Sequence, residues 1–132
     1  MARPRVLSAT EAARLIPDGA VVTVSSSSGL GCPDAVLAAV GARFVADGHP
    51  RNLTTLHPIA AGDMSGVKGI DHIAKAGCLA RVLAGSYPSG PSSAEPPQIW
   101  KMIGADAPRP QIVRRSQPAS RRDSRAPMTR RR

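Results

Sequence analysis

The residues with chemical potential fall into four groups. The first is a run of small residues, Ser25-Ser26-Ser27-Ser28-Gly29-Leu30-Gly31, placed just before Cys32-Pro33-Asp34. Small side chains let backbone N–H groups approach an anion, and a helix starting at Pro33 adds the positive end of its dipole. The run is not a phosphate loop, since no Gly-Lys-Ser/Thr follows, and it is not GxGxxG. A plain strand-to-helix loop accounts for it equally well. A nucleophilic serine needs an adjacent base, and the neighbouring sequence offers none. The second group is His49, His57 and His72 with Asp63 and Asp71. Their spacing is irregular and no two histidines stand at i, i+4, so ordinary loop and helix-end roles outweigh a metal site. Third come Cys32 and Cys78, with no CxxC and no identifiable base. Cys32 near a helix N-terminus is a setting that lowers a thiol pKa. The fourth is the pair of glutamates Glu11 and Glu95, which form no two-carboxylate acid/base arrangement.

The elements that position these residues follow from local pattern. Ser8-Ala9-Thr10-Glu11 is a capping box and predicts a helix to about Ile16, closed by Pro17-Asp18-Gly19. Ala20–Val24 is a β-branched run, read as a buried strand. Pro33 suits a first helical position, Asp34 complements the helix dipole, and Val36, Leu37, Val40 and Phe44 make one apolar stripe ending at Gly48. Gly41 within that helix predicts close packing on a sheet. A second strand is predicted at Asn52–His57, a short helix around Asp71–Ala76 stopped by Gly77, and a third strand at Ala80–Ala84. The Gly85–Pro97 loop carries four Ser, two Gly and four Pro, and a last helix starts at Pro96-Pro97 with Ile99, Trp100 and Ile103. Alternation of this kind predicts an α/β fold: an open parallel sheet with flanking helices, its ligands beyond the carboxyl ends of the strands. The Ser25–Gly31 and Gly85–Gly90 loops are the places for a site.

Composition divides the chain in two. Residues 1–106 hold nine Lys/Arg and eight Asp/Glu, whereas residues 107–132 hold nine Arg against Asp123 alone. The net charge of +9 therefore belongs almost entirely to the tail, which has four prolines and no helical or alternating period and is expected to be disordered. An arm contacting nucleic acid by charge is one reading. The absence of tail lysines, aromatics or a recognition motif argues against it, as does an aromatic content of 2% for the whole chain. No stretch of 18 apolar residues spans a membrane, and Ser8, Thr10, Glu11 and Arg14 interrupt any secretory segment, so a cytoplasmic location with free thiols is expected.

Residues 6–106 resemble the N-terminal part of the acyl-CoA:acetate/3-ketoacid CoA-transferases, the family I enzymes that include propionate CoA-transferase. The segments that carry the likeness are VLSATEAARLIPDGAVVTVSSSSGLGCPDAVLAAVGARF, GHPRNLTTLHPIAAGD, KGIDHIAKAGCLARVLAGSYPSG and PPQIWKMIGADA, in family order and spacing over about three-quarters of the chain. The resemblance implies a CoA-transferase-type α/β fold. It also implies covalent transfer of CoA between an acyl-CoA and a short-chain carboxylic acid through a glutamyl-CoA thioester, with CoA as substrate and no permanently bound cofactor or metal. The loop matching Val24–Pro33 lies on the acyl and oxyanion side, so Ser25, Ser26, Ser27, Ser28, Gly29 and Gly31 are the candidate backbone donors.

Two departures qualify the likeness. Ser26-Ser27 stands where many members have Gly-Phe, and the family's nucleophilic glutamate lies in a C-terminal half with no counterpart here. Neither Glu11 nor Glu95 matches its motif, so no catalytic residue carries over. The abrupt change at Ala107 reads as a frameshift in a GC-rich gene. The expected object is a fragment inactive alone, prone to self-association or to pairing with a missing half. The alternatives are a heteromeric enzyme whose second chain brings the glutamate, and a small non-catalytic acyl-CoA- or anion-binding module with a nucleic-acid-binding tail.

Overall fold

A computed structural model describes residues 4–63, 66–86 and 97–105. The predicted basic tail, the fragment boundary at 107, Glu95 and most of the Gly85–Pro97 loop lie outside these residues. The chain enters through α1, Ala9–Arg14, with the expected capping box: the Glu11 carboxylate accepts from Ser8 N–H at 2.8 Å, and Glu11 N–H donates to Ser8 Oγ at 3.3 Å. The far end of this short helix is held by a side chain distant in sequence. Arg43 donates to the carbonyls of Ala13 and Ile16 at 2.9 and 3.0 Å, supplying donors that the last turn of a helix lacks.

Three strands follow, β1 Val21–Thr23, β2 Leu53–His57 and β3 Leu79–Ala84, parallel and in the order β1-β2-β3. Between β1 and β2 lies α2, Asp34–Asp47, and between β2 and β3 a 3₁₀ turn, Gly69–His72; α3, Gln98–Gly104, comes last. Right-handed crossovers between parallel strands added in one direction place their helices on the same face. Accordingly α2 packs on α1 and on the 3₁₀ turn, and α3 also meets the 3₁₀ turn.

The core lies under this layer. Leu37 and Val40 of α2, Ile70 and Ile73, and Ile99 and Met102 of α3 cover Leu53, Thr55, His57 and Val82 of the sheet. A bulge at Ala80 keeps β3 in phase. Leu53 pairs with Leu79 but Thr54 with Arg81, so Leu79 and Val82 share the core face, which strict alternation would forbid. The opposite face carries Val21, Thr23, Thr54, Leu56, Arg81 and Leu83, and there Val21 is 66% and Leu56 43% exposed.

Several expectations change in detail. The Ala20–Val24 run is an edge strand among the described residues rather than a buried one. It has β2 on one side only and no helix over Val21, and full burial begins at Val24. Gly41 does pack closely, but on backbone rather than on the sheet: a β-carbon there would overlap the His72 carbonyl oxygen. The helix expected around Asp71–Ala76 is a single 3₁₀ turn. Its segment is pinned at Gly69 by Asp34 and at Gly77 by Asn52 N–H, and its internal bonds are of the i to i+3 kind, Ile73 N–H to Ile70 O and Ala74 N–H to Asp71 O. Asn52 adopts a positive φ of 56°, so β2 starts one residue later than read. Among the described residues no helix is long and apolar enough to cross a membrane.

The Arg43 cap gives a direct test. Arg43→Met keeps the aliphatic stem and removes both donors, with an expected loss of about 1–2 kcal/mol, read from the urea midpoint. Asp47→Asn, which removes only the loose 3.9 Å contact to Arg43, is expected to shift stability by less than ~0.5 kcal/mol.

Candidate functional site

Because all three strands run the same way, their carboxyl ends deliver three loops to one edge of the sheet. They are the serine loop after β1, Pro58–Asp63 after β2, and Gly85-Ser86 after β3. Backbone and small side chains lace them together. Ser28 forms a parallel bridge with Ala61, and Gly62 N–H donates to Ser28 O at 3.0 Å. Ser26 Oγ donates to Ala60 O at 3.2 Å, Ser86 Oγ accepts from Ala60 N–H at 2.9 Å, and Gly85 N–H donates to His57 O at 3.2 Å. Within the serine loop, Ser27 and Leu30 exchange two backbone bonds at 2.9 and 3.0 Å, closing a tight reversal with φ of 55° at Ser28. Gly29 lies against the Asp63 carboxylate, and a β-carbon at residue 29 would collide with it. A side chain at residue 29 would therefore have to move the Asp63 carboxylate aside.

The start of α2 is tied to the same region. Asp34 Oδ1 accepts from Gly69 N–H at 2.6 Å and lies 3.1 Å from His72 Nε2. Gly69, at φ 53°, is in turn pressed against the Ala61 carbonyl, where a side chain would overlap it. Burial works to raise the Asp34 pKa, but the Gly69 and His72 hydrogen bonds outweigh it and hold the carboxyl below its ordinary range. One consequence is that the positive end of α2 already faces a carboxylate of its own chain. The donors left for a ligand are loop amides: those of Ser25, Ser26, Gly29 and Gly31 meet no backbone acceptor among the described residues.

The structure brings together only part of what the sequence singled out. Ser25, Ser27 and Ser28 are exposed and Ser26 half-buried, and the bonds of the Ser26 hydroxyl go to a carbonyl rather than a base. Cys32 is half-buried, and its thiol is pushed up by burial first and then by the Asp34 and Asp63 carboxylates, the reverse of activation by a helix end. Cys78 is buried and pushed up to about 11. The histidines are dispersed. His57 ends β2 in the core, its Nδ1 3.1 Å from Ile59 O, and burial lowers its pKa. His49 pairs with Asp18 at 2.9 Å at the amino end of the sheet, where Asp18 also accepts from Arg51 N–H. His72 faces Asp34. Asp71 accepts from Ile99 N–H at 3.0 Å and so caps α3. Among the described residues no group of three His, Cys, Asp or Glu is placed to hold a metal ion.

Sequence reasoning missed the Ala60–Asp63 wall and the Asp34 clasp. The only sequence signals were glycines at 62 and 69 and a carboxylate at a helix start, all of which have ordinary local readings.

Comparison with known proteins points one way. No family model matches the chain. Over 59 residues, 45% of its length, it is 44% identical to a caffeate CoA-transferase of Acetobacterium woodii, a stretch that makes up 11% of that protein. The fold matches the acyl-CoA transferase YdiF of Escherichia coli O157:H7, solved as a thioester complex with CoA, with a TM-score of 0.63 and 27% identity over 76% of this chain. It matches the apoenzyme of the same protein with the same TM-score and 26% identity over 80% of this chain. The chain spans 20% of those structures. The described part is thus a CoA-transferase-like α/β segment.

Two measurements follow. Asp34 contributes stability that is present above the unfolded carboxylate pKa of about 3.9 and is lost as pH falls through its depressed folded value. Asp34→Asn is therefore expected to lower the melting temperature at neutral pH and to flatten its fall on acidification, leaving the share due to Asp18 and Glu11, which are also depressed. A mutant whose acid limb is as steep as the parent's contradicts the clasp. In the second, iodoacetamide at pH 8 is expected to label Cys32 more slowly than a free cysteine peptide and Cys78 only on unfolding, followed by peptide mass spectrometry.

Proposed function

We propose that this chain contributes the acyl-CoA side of a CoA-transferase, one that moves CoA between an acyl-CoA and a short-chain carboxylic acid. The observation that carries the reading is the laced edge of small-residue loops at the strand carboxyl ends, in a segment matching a fifth of an acyl-CoA transferase solved with CoA as a thioester.

Such transfer needs a carboxylate nucleophile; Glu11 is committed to the α1 capping box, and neither Glu11 nor Glu95 matches the motif of the family's nucleophilic glutamate. The nucleophile comes from the remainder of the transferase. Its attack on the thioester carbonyl expels CoA thiolate and leaves an acyl-glutamyl anhydride. The thiolate then attacks the glutamyl carbonyl, releases the first acid as its carboxylate and leaves glutamyl-CoA, which the acceptor acid opens by the reverse sequence. What this chain supplies is the surface against which oxyanion charge develops. The amides of Ser25, Ser26, Gly29 and Gly31 are held by the Ser27–Leu30 reversal and the Ala60–Gly62 wall, so they need no reorganisation as charge appears. CoA enters as a substrate. Alone, residues 1–132 are inactive.

The test uses a chimera in which residues 6–105 replace the matching fifth of the E. coli acyl-CoA transferase. Isotope exchange between acetyl-CoA and acetate is expected from the chimera and not from the 132-residue chain. Gly29→Val, which displaces Asp63 and the reversal, is expected to lower exchange at least 100-fold in a chimera that still folds. A folded chimera without exchange overturns the reading.

A further inference from the structure

Charge at the carboxyl edge of the sheet is one-sided. Ser25–Gly31, Pro58–Asp63 and the described part of the third loop, Gly85-Ser86, contain no lysine, arginine or histidine, and Asp63 is their one ionisable residue. Their exposed side chains are otherwise apolar or hydroxylic, with Leu30 79% and Ile59 45% exposed along with Ser25, Ser27 and Ser28. Asp63 is fixed at this edge by its own turn. Its N–H donates to Val67 O at 3.0 Å, and its Oδ1 accepts from Val67 N–H at 3.1 Å. Its Oδ2 is the atom that a β-carbon at residue 29 would meet, which places a carboxylate oxygen within ~5 Å of the Gly29 nitrogen. The Cys32 thiol is held up by burial first and then by Asp34 and Asp63, so the field of these carboxylates extends along the serine loop. Asp34 is offset in place by Gly69 N–H and His72, which leaves Asp63 to act on a ligand. Lys68, the cation nearest to Asp63 in sequence, is exposed and makes no ion pair among the described residues.

A carboxylate on a ligand is commonly met by arginine or lysine, through charge-assisted hydrogen bonds. The described loops offer neither, and present a like charge instead. At the thioester carbonyl the amides of Ser25, Ser26, Gly29 and Gly31 act against that charge. A second carboxylate, two or three methylenes along the acyl chain, has no such donors. Like charges within about 8 Å of one another near a protein surface repel by an amount worth roughly tenfold in an equilibrium constant. We infer that Asp63 is a specificity-determining residue, one that selects against acyl groups carrying a second carboxylate, so that the substrates are acyl-CoAs with an uncharged acyl chain. The inference rests on the transferase reading and narrows its substrate class. A repulsive element of this kind discriminates between substrates without adding affinity for the accepted one.

The field and the specificity are measured separately. In the 132-residue chain, Cys32 is modified with two methanethiosulfonates of similar size, one bearing trimethylammonium and the other sulfonate. Peptide mass spectrometry separates it from buried Cys78. Relative to a free cysteine peptide, the cationic reagent is expected to be favoured about 5-fold at low salt. Asp63→Asn, which keeps the shape and removes the charge, is expected to lower that preference by about half or more. A preference that Asp63→Asn leaves unchanged overturns the inference. In the chimera, kcat/KM is compared for succinyl-CoA and butyryl-CoA with acetate as acceptor. Butyryl-CoA is expected to be the better donor, and Asp63→Asn to raise the succinyl-to-butyryl ratio about 10-fold. A purely structural defect lowers both substrates alike and leaves the ratio where it was, and that result also overturns the inference. An inactive folded chimera defeats the transferase reading and this inference with it, whereas an active chimera with a fixed ratio defeats the inference alone.

Discussion

The hydrogen bonds accepted by the Asp34 carboxylate set the geometry of everything around them. By fixing Gly69 N–H and facing His72, Asp34 joins the start of α2 to the crossover between β2 and β3. Gly69 can then lie on the Ala61 carbonyl, and Gly41 on that of His72, two approaches that any side chain would block. These contacts bring Ile70 and Ile73 down onto the sheet and push the Ala60–Asp63 strip against the serine loop. The core and the candidate site are therefore two sides of one arrangement. A defect at Asp34 is felt in both, because the crossover that carries the buried isoleucines is also the back of the loop wall.

The same arrangement bears on the proposed oxyanion role of the serine loop. With the positive end of α2 already facing Asp34, and with Asp63 beside Gly29, fixed carboxylates surround the serine loop. Such a setting does not favour a free anion held by charge, and it keeps Cys32 protonated. The proposed oxyanion role therefore rests on the fixed backbone dipoles of the loop amides, acting against these nearby carboxylates. Preorganised amides act on charge as it develops and need not bind the ground state tightly. The four consecutive serines make sense in those terms as backbone with minimal side chains. Ser26 adds one bond to the wall, and the others leave the loop free of bulk.

Much of the fold was legible because it is local. Ser8 and Glu11 signal the first helix through a two-way bond three residues apart, the spacing of Leu37, Val40 and Phe44 marks the second, and Val-Thr and Leu-Thr runs mark the strands. The order of those elements then leaves little choice but a parallel sheet. What was not legible depends on contacts across the chain. Nothing around Gly41 says that its neighbour is the His72 carbonyl rather than a strand. The sequence near Asp71 looks helical, yet the segment between the pins at Gly69 and Gly77 forms a single 3₁₀ turn. The Ala20–Val24 run has the composition of a buried strand, yet burial is a property of neighbours, and among the described residues β1 has one strand beside it. For the site, the serine loop stood out by composition, while its partner strip Ala60–Asp63 is unremarkable residue by residue and acquires meaning only from facing Ser28 and Gly29.

Among the described residues the connecting helices cover one face of the sheet and leave Val21 and Leu56 on the other face exposed. Right-handed crossovers in a sheet extended in one direction commit every connecting helix to the same side. The second side of such a sheet can be closed only by chain that enters after the strand order reverses, or by another polypeptide. In open α/β sheets that reversal is also where ligands bind, beyond the carboxyl ends of the strands. The bare rows of Val21 and Leu56 and the laced loops above them are thus linked by topology.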